Sequence, residues 1–221
     1  MREPQLDERL RAVANCMPAC DWAADIGADH GRLSCHLLQS GRCKHMLVSD
    51  ISADSLAKAR RLLALHGVAE RAEFRVADGL DALTRPVLAA AICGMGGATI
   101  AKMLQRSPEK LAGAALVLSA HTDIPLVRET LGEIGYHIDE ERLARAGGRF
   151  YIVIRALPGG ARYTEKELLL GPALLGDRSP EWLAYLRWRR GVHAAMQNDD
   201  ARHIVWIEEE IAHALDGTGG V

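Results

Sequence analysis

An acidic, glycine-bearing turn offers the most recognisable chemistry in this chain. Asp25 is followed by Gly27 and Gly31, with a short strand-like run before the turn and a helix-like run after it. Glycine has no Cβ and tolerates positive φ, so a ligand can approach the backbone of such a turn. The helix that follows offers unpaired N–H groups and positive potential. The pattern therefore predicts a cofactor site over residues 24–31, which includes Ala28.

Further acids follow the next two predicted strands. Asp50 ends the second strand beside Ile51, and a carboxylate there suits hydrogen bonds from ribose hydroxyls. Asp78 and Gly79 end the third strand, where an acid can accept from an exocyclic amine such as adenine N6 and the glycine lets a base lie against the backbone. Because ligands sit outside the carboxyl ends of parallel strands, these residues are predicted to share one site.

Two cofactor classes fit the turn to different degrees. The dinucleotide fingerprint G-x-G-x-x-G is matched poorly, because three residues separate Gly27 from Gly31 and Asp29 takes the place of the second glycine. The methyltransferase pattern, acidic-x-Gly-x-Gly-x-Gly, has its acid and two of its glycines in place. NAD enzymes do not require the carboxylate of Asp78. The pattern therefore favours S-adenosyl-L-methionine, with a Rossmann dehydrogenase as the alternative.

A glycine-rich segment, Gly-Met-Gly-Gly at 94–97, ends the fourth predicted strand. Its bare backbone can approach a flat base or a sulfonium, whereas a phosphate cradle lacks the Lys-Ser/Thr ending of the P-loop. We assign Gly96 and Gly97 to the substrate. The residues assigned to the cofactor are Asp25, Gly27, Ala28, Gly31, Asp50, Ile51, Asp78, Gly79, Gly94 and Met95.

Repeated alternation of strands and helices predicts the frame that positions these residues. Five strand-then-helix units precede a hairpin of two strands, 136–142 and 149–156. Such alternation predicts an α/β fold with a Rossmann-like, doubly wound, mostly parallel sheet, in which the hairpin supplies an antiparallel edge strand. The five earlier strands are predicted at 21–24, 45–49, 72–77, 87–93 and 114–119.

The composition changes at the Leu-Pro-Gly-Gly segment that ends at residue 160, beyond which strand-like patterns vanish. We therefore predict a cofactor-binding domain at 1–157 and a C-terminal helical domain at 161–216. Two apolar-striped helices, 180–196 and 199–215, are separated by a short Asn-Asp turn. This pattern is typical of an antiparallel helical hairpin.

Bulk properties narrow the class of protein. Hydrophobic residues make up 48% and charged residues 25%, and the net charge of −2 gives no general attraction to nucleic acid or membrane, so any polyanion site must be a local patch. Five cysteines form no C-x-x-C pair, which indicates reduced thiols, and we assign no metal site. Without an apolar signal region or a long apolar run, we expect a cytoplasmic protein with no membrane association.

Six motifs spread over nearly the whole chain add specificity: Ala-Asp-Ile-Gly-Ala-Asp-His at 24–30, Asp-Gly-Leu at 78–80, Ile-Cys-Gly-Met-Gly-Gly at 92–97, Gly-Arg-Phe-Tyr at 148–151, Gly-Pro-Ala-Leu-Leu at 171–175 and Pro-Glu-Trp-Leu at 180–183. Together they resemble the bacterial tRNA (adenine(22)-N1)-methyltransferase family. The resemblance implies a class I methyltransferase domain, a coiled-coil-like helical domain and methylation of an adenine N1 in the D-arm of tRNA. No obligate protein partner is evident.

Two positions depart from that family. The chain has Ser119-Ala120-His121 where the family shows Gln-Pro-Asn, and Ile152 follows Tyr151 where the family shows Glu. Both departures bear on the acceptor and leave the cofactor motifs unchanged. We predict that His121 and Tyr151 contact the substrate.

Methylation of adenine N1 needs little from a catalytic base, because N1 has an in-plane lone pair. Proximity, orientation and exclusion of water are then the main contributions of the protein. Asp29 or His30 is predicted to orient the base or to take up a proton. Because N1 lies on the Watson–Crick edge, a paired base must be exposed first.

A cluster of arginines on the predicted helix 180–196 forms a local basic patch. Arg187 and Arg190 are three residues apart, share a face beside Trp188 and are predicted to contact tRNA phosphates. A solvated helix face is the alternative. Two other functions stay open, namely a methyltransferase-fold RNA-binding module without turnover and a small-molecule or protein methyltransferase.

Overall fold

A seven-stranded sheet forms the frame of the first of two units, which divide after Ala161. The computed structural model describes residues 5–196 and 200–216. The strand order is β3-β2-β1-β4-β5-β7-β6, and β1 to β5 run parallel while β7 runs antiparallel to both β5 and β6. The strands are β1 (Cys20–Ile26), β2 (Cys43–Asp50), β3 (Ala72–Val76), β4 (Ala89–Met95), β5 (Ala115–Ala120), β6 (Tyr136–Ala146) and β7 (Arg149–Pro158). The predicted doubly wound, mostly parallel sheet is confirmed.

The central strands are apolar because helices cover the sheet. Ala89, Ala90, Ala91 and Ile92 in β4 are all fully buried, as are Leu116, Val117 and Leu118 in β5. Between residues 5 and 161, five α-helices are present: α1 (Glu8–Cys16), α2 (Arg32–Gln39), α3 (Ala53–Leu65), α4 (Gly97–Arg106) and α5 (Ile124–Glu133). In the described part of the chain, no helix combines the length and apolar character needed to cross a membrane.

The tally of five strand-then-helix units is wrong at the third unit. After β3 the chain forms a short 3-10 turn, Gly79–Ala82, and then enters β4 without an α-helix. Gly79 adopts φ +57°, which turns the chain sharply at the end of the strand. The closing hairpin is also longer than predicted, because β6 continues to Ala146.

Three helices make up the described part of the second unit: α6 (Glu165–Leu170), α7 (Pro180–Ala194) and α8 (Ala201–Asp216). The sequence prediction missed α6, a short helix with a capping box in which Thr164 and Glu167 satisfy each other's backbone N–H groups. The sequence predicted α7 and α8, which pack against each other. The predicted Asn-Asp turn at 198–199 lies outside the described residues.

A buried ion pair joins α5 to the edge strand β6. Arg128 Nε donates to Glu141 Oε1 at 2.8 Å, and both side chains are fully buried. Neutralising one member leaves the opposite charge buried, which typically costs more than the pair itself contributes.

Arg128→Met is therefore expected to lower the free energy of unfolding by about 3–5 kcal/mol in urea titrations. The double variant Arg128→Met, Glu141→Leu should recover most of that loss, because an apolar pair replaces both charges. A single variant that unfolds at the wild-type urea concentration would contradict this role for the pair.

Candidate active site

The glycine turn after β1 lies close to two neighbouring elements. The N–H groups of Gly27 and Ala28 both donate to the carbonyl of Ser49, at 2.9 and 2.8 Å. Gly27 has φ +73°, and a Cβ built on it would lie 2.1 Å from Cε of Met95. Gly27 is therefore required both by its backbone conformation and by the side chain that covers it.

Gly31 has a packing role in addition to the cofactor contact predicted for it. It precedes α2 with φ +68°, and a Cβ there would lie 2.7 Å from Cβ and 3.1 Å from Cα of Ala59 in α3. This close approach of two helices explains the glycine without a ligand. Contact of Gly31 with a cofactor stays a prediction.

Asp29 and Asp50 join the turn to the end of β2. The N–H of Asp29 donates to Asp50 Oδ2 at 3.0 Å, and the N–H of Ser52 donates to Asp50 Oδ1 at 2.8 Å. Asp29 has φ +49°, a conformation that a residue other than glycine adopts only when its surroundings hold it there. The neighbouring Ile51 leaves 73% of its surface exposed, which is unusual for a large apolar side chain.

The two predicted catalytic residues form a hydrogen-bonded pair. Asp29 Oδ2 lies 2.6 Å from Nδ1 of His30, and both side chains are exposed. A carboxylate on Nδ1 favours the tautomer that carries its proton there, which leaves Nε2 as an acceptor. The pair can therefore take up a proton at Nε2 of His30.

Asp25 is buried at the end of β1, with 4% of its surface exposed. It accepts a 2.6 Å hydrogen bond from the hydroxyl of Ser34. Burial raises the pKa of Asp25 to about 6, the hydrogen bonds from Ser34 oppose this shift, and the nearby charge of Asp50 adds to it. Burial likewise raises the pKa of the neighbouring Cys93 to about 12, which disfavours its thiolate near neutral pH.

A cleft with a volume of about 490 Å³ brings many of the predicted residues together. Among the residues predicted to bind the cofactor, four line the cleft: Asp25, Gly27, Ala28 and Gly94. The predicted catalytic residues Asp29 and His30 and the predicted substrate contact His121 also line it. Sequence reasoning missed six lining residues: Asp7, Arg9, Leu10, Arg32, Leu33 and Cys93. Three of these come from the start of α1, and its amphipathic pattern gave no indication that its first turn faces a ligand site.

His121 and Tyr151 lie together beside this cleft. Their rings meet edge to face with centroids 5.8 Å apart, and the ring of His121 lies beside Gly94. The His121 backbone N–H donates to the carbonyl of Met95 at 2.8 Å, which fixes the loop after β5 to the end of β4. His121, which belongs to the segment that differs from the family pattern, therefore lies at the cleft. Its contact with the substrate, and that of Tyr151, stay predictions.

Asp78 and Gly79 lie outside the lining of that cleft. Arg106 donates to Asp78 Oδ2 at 2.8 Å and to its carbonyl at 2.9 Å, whereas Oδ1 has no donor among residues 5–196 and 200–216. Asp78 borders a second depression of about 440 Å³ with α4. Because β3, β2, β1 and β4 are adjacent in the sheet, Asp78, Asp50, Gly27 and Gly94 nevertheless follow one another along the carboxyl edge.

Gly96 and Gly97 pack against the loop after β5. A Cβ on Gly97 would lie 2.4 Å from the carbonyl oxygen of Thr122 and 2.5 Å from that of Asp123, and a Cβ on Gly96 would lie 3.3 Å from Thr122 Oγ1. The Gly97 N–H also donates to the Thr122 carbonyl at 3.0 Å. Backbone atoms therefore exclude a Cβ at Gly97, whereas only one side-chain hydroxyl lies close to Gly96. The predicted substrate contact of both glycines stays untested.

The predicted basic patch lies on α7 of the second unit. Arg187, Trp188 and Arg190 are all exposed, with 46% of the Trp188 surface accessible. Arg190 lies 4.0 Å from Glu208, and Arg187 has no acidic partner among the described residues. Buried aromatic rings support this helix from within, since Trp182 stacks on Tyr185 at 5.4 Å.

Comparisons with known proteins agree with this geometry. The sheet is doubly wound, a glycine turn follows its first strand, and carboxylates follow the next two strands. These features define a methyltransferase domain. The family model described as "Methyltransferase domain" matches residues 6–154. The chain is 29% identical to the tRNA (adenine(22)-N(1))-methyltransferase of Bacillus subtilis, over 98% of this chain and 90% of that protein. It is 32% identical to a Mycoplasma pneumoniae protein provisionally named a tRNA methyltransferase, over 80% of this chain and 85% of that one.

A solved structure extends the likeness to the whole fold. The crystal structure of a Streptococcus pneumoniae protein in complex with S-adenosyl-L-methionine superposes with a TM-score of 0.82 at 24% identity, covering 96% of this chain and 99% of that one. This chain belongs to the tRNA (adenine(22)-N1)-methyltransferase family of methyltransferase-domain proteins. Family membership favours the methyltransferase interpretation over the dehydrogenase alternative.

The buried carboxylate of Asp25 makes a prediction about stability. Its pKa is about 6 in the folded protein and 3.8 as the ordinary value, so the folded state binds the proton more tightly. The stability from this proton is fully present below the unfolded pKa and is lost as the pH rises through about 6.

Asp25→Asn cannot ionise and should escape this loss. Relative to wild type, its free energy of unfolding should gain about 2 kcal/mol between about pH 4 and pH 7.5, as measured by urea titration at both pH values. The exposed Asp54→Asn serves as the control. An unchanged difference between Asp25→Asn and wild type at the two pH values would contradict a buried, protonatable Asp25.

Proposed function

We propose that this protein transfers a methyl group from S-adenosyl-L-methionine to N1 of an adenine in the D-arm of tRNA. One observation carries the proposal: the row of strand ends combines a bare glycine turn, two carboxylates and an exposed Asp29–His30 pair along one edge. Family membership supports the same reaction.

The residues along this edge fit the cofactor. A cleft of about 490 Å³ lies within the size range of small-ligand sites, and Gly27 lines it without a side chain. A carboxylate offers about four acceptor positions, so Asp50 can accept from ribose hydroxyls while it holds Asp29 and Ser52. The Oδ1 atom of Asp78 is the acceptor we assign to the adenine amine. When bound, S-adenosyl-L-methionine supplies an electrophilic methyl group.

Residues of the chain act on the acceptor base through position and proton transfer. Methylation leaves the adenine ring positively charged, and a proton can later leave from N6. His30, whose tautomer is fixed by Asp29 at 2.6 Å, presents Nε2 as the acceptor for that proton. His121 and Tyr151 offer ring surfaces beside the cleft on which a flat base can rest.

The RNA itself must be held by local charge, since the chain has a net charge of −2. Arg187 and Arg190 supply exposed guanidinium groups one helical turn apart on α7. Trp188 lies beside them with an accessible ring, which suits stacking on an unpaired base. This pattern supports tRNA as the partner of the second unit.

Methyl transfer to a tRNA transcript tests the proposal. Radiolabel from the cofactor should enter a transcript that keeps its D-arm adenines and should be absent from a transcript with these adenines replaced by guanine. Asp50→Ala should weaken cofactor binding about 10- to 100-fold in calorimetry, whereas Asp54→Ala, a nearby exposed acid, should leave it unchanged. Tight binding of tRNA and cofactor without transfer would instead establish a binding module without turnover.

The basic patch gives a second prediction. Arg187→Ala with Arg190→Ala should lower tRNA affinity and reduce the slope of log affinity against log salt by about two units, because two phosphate contacts are lost. Titrations at several salt concentrations measure this slope. The control, Arg162→Ala with Arg178→Ala, removes the same charge from exposed sites of the same unit outside α7. If the two double variants show the same slope of log affinity against log salt, Arg187 and Arg190 do not contact tRNA phosphates and form a solvated helix face.

A further inference from the structure

Two cysteines face each other at the amino-terminal ends of β1 and β2. Cys20 begins β1, Cys43 begins β2, and the two residues are paired in the parallel register of these strands. Paired residues of adjacent strands direct their side chains to the same face of the sheet. The two Sγ atoms accordingly lie 3.6 Å apart, within hydrogen-bond distance for sulfur. All five cysteines lie in the described part of the chain, and no other two of them make such a contact.

The backbone spacing at this pair fits a disulfide. Cα atoms paired across adjacent strands lie about 5 Å apart, and disulfides span Cα separations of about 4.4–6.8 Å. The sulfurs must still approach each other to form a bond. Because the backbone separation already fits, rotation of the side chains can supply this approach. The reduced thiols predicted from the sequence are therefore placed to form a bond when an oxidant arrives.

The two thiols differ in access and in acidity. Cys20 is half-buried, whereas Cys43 is fully buried. The shared hydrogen bond lowers the pKa of Cys20, against the opposing effects of burial and of the charge of Asp21. The same hydrogen bond, together with burial, raises the pKa of Cys43. Burial also raises the pKa of Cys16 and of Cys35 to about 11. Cys20 is therefore the thiol best suited to attack as a thiolate, with a second thiol directly beside it.

We propose that Cys20 and Cys43 form a thiol–disulfide exchange site for low-molecular-weight disulfides such as oxidised glutathione. The Cys20 thiolate attacks one sulfur of glutathione disulfide, whose S–S bond breaks, and one glutathione leaves. Cys43 Sγ then attacks Cys20 Sγ, the mixed disulfide breaks, and the second glutathione leaves. The two thiol protons of the protein are balanced by those on the two released glutathiones. The protein is thus oxidised by two electrons, the reagent is reduced by two, and excess reduced glutathione reverses the exchange.

This site is separate from the one assigned to the cofactor. Gly27 and Asp50 lie at the carboxyl ends of β1 and β2, whereas the two cysteines lie at the opposite ends of the same strands. Oxidation cross-links two neighbouring strands without a covalent change in the cleft. The inference therefore stands or falls independently of the proposed methyl transfer.

Packing is the competing explanation, because a free cysteine often serves as a small apolar residue. Cys43 belongs to the hydrophobic core, and Cys20 packs against it. The two explanations differ in what they predict under oxidation. Thiols that serve packing alone stay free in the folded protein, whereas an exchange site consumes this pair before any other cysteine.

Peptide mapping of the oxidised full chain tests the proposal. Reduced, folded protein is incubated with oxidised glutathione, free thiols are blocked with N-ethylmaleimide, and linked peptides are identified by mass spectrometry. Wild type should lose two of its five free thiols, gain a cross-link between Cys20 and Cys43, and retain no glutathione. Dithiothreitol should restore all five thiols.

Single variants separate the two steps of the exchange. Cys43→Ser should stop after the first step and carry one glutathione on Cys20. Cys20→Ser should react with oxidised glutathione at least about tenfold more slowly than wild type, because the remaining thiols are less acidic or less accessible. Cys35→Ser is the matched control, since it removes a buried thiol that does not contact the pair, and it should form the same cross-link as wild type.

Oxidation in urea tests whether the fold selects the pair. Cys16 lies nearer to Cys20 along the chain than Cys43 does, so the unfolded chain should form a mixture of cross-links in which this pair is no longer dominant. The same distribution of cross-links in the folded and unfolded states would count against the proposal.

Wild-type protein that keeps five free thiols would overturn the proposal and leave a packing role. So would a glutathione adduct on Cys20 that persists in wild type, or a folded-state cross-link between other cysteines. If Cys43→Ser fails to fold, as judged by thermal unfolding, the wild-type time course decides. A transient glutathione adduct on Cys20 must then precede the cross-link, and a cross-link that forms without this adduct contradicts the proposed sequence of steps.

Discussion

The hydrogen bond from the Asp29 N–H to the Asp50 carboxylate, at 3.0 Å, is the interaction on which the rest of the site depends. Asp29 holds a left-handed conformation, which costs about 1–3 kcal/mol for a residue other than glycine. A hydrogen bond to a charged acceptor contributes about 1.5–3 kcal/mol, which is enough to offset that cost. In this conformation the carboxylate of Asp29 reaches Nδ1 of His30. One hydrogen bond therefore joins Asp50, the carboxylate assigned to the cofactor ribose, to the Asp29–His30 pair assigned to proton transfer.

Three of the glycines near the site allow close packing of the protein itself, whether or not they also let a ligand approach. Gly27 lies beneath Met95, Gly31 lies against Ala59, and Gly97 lies against the backbone of Thr122 and Asp123. Each contact fixes one loop relative to a neighbouring element, so the strand ends keep their spacing. Sequence spacing alone does not distinguish a glycine that admits a ligand from one that admits another helix, because both need an absent Cβ.

The positions of the strands along the chain and the acids that follow them could be predicted from periodicity, since buried parallel strands are apolar runs with chemistry-bearing residues just beyond them. The order of the strands within the sheet was not predicted. Asp29 and His30 were assigned to the turn from the sequence, and the structure adds the hydrogen bond between their side chains. The sequence did not predict Arg9, because its place in the cleft depends on how α1 packs across the sheet, nor the pairing of Asp78 with Arg106, which joins residues 28 positions apart. Helix α6 was missed because its six residues are too few to show a helical period.

The central claim is that the cofactor binds across the carboxyl ends of β3, β2, β1 and β4. Hydrogen exchange of the full chain, followed by mass spectrometry with and without S-adenosylhomocysteine, tests it most directly. We predict slower exchange in peptides that contain residues 25–31, 50–52, 78–80 and 93–97. Exchange at the amino-terminal ends of the strands and in α7 and α8 should change little. Unchanged exchange at these four segments, or protection confined to another surface, would contradict the account.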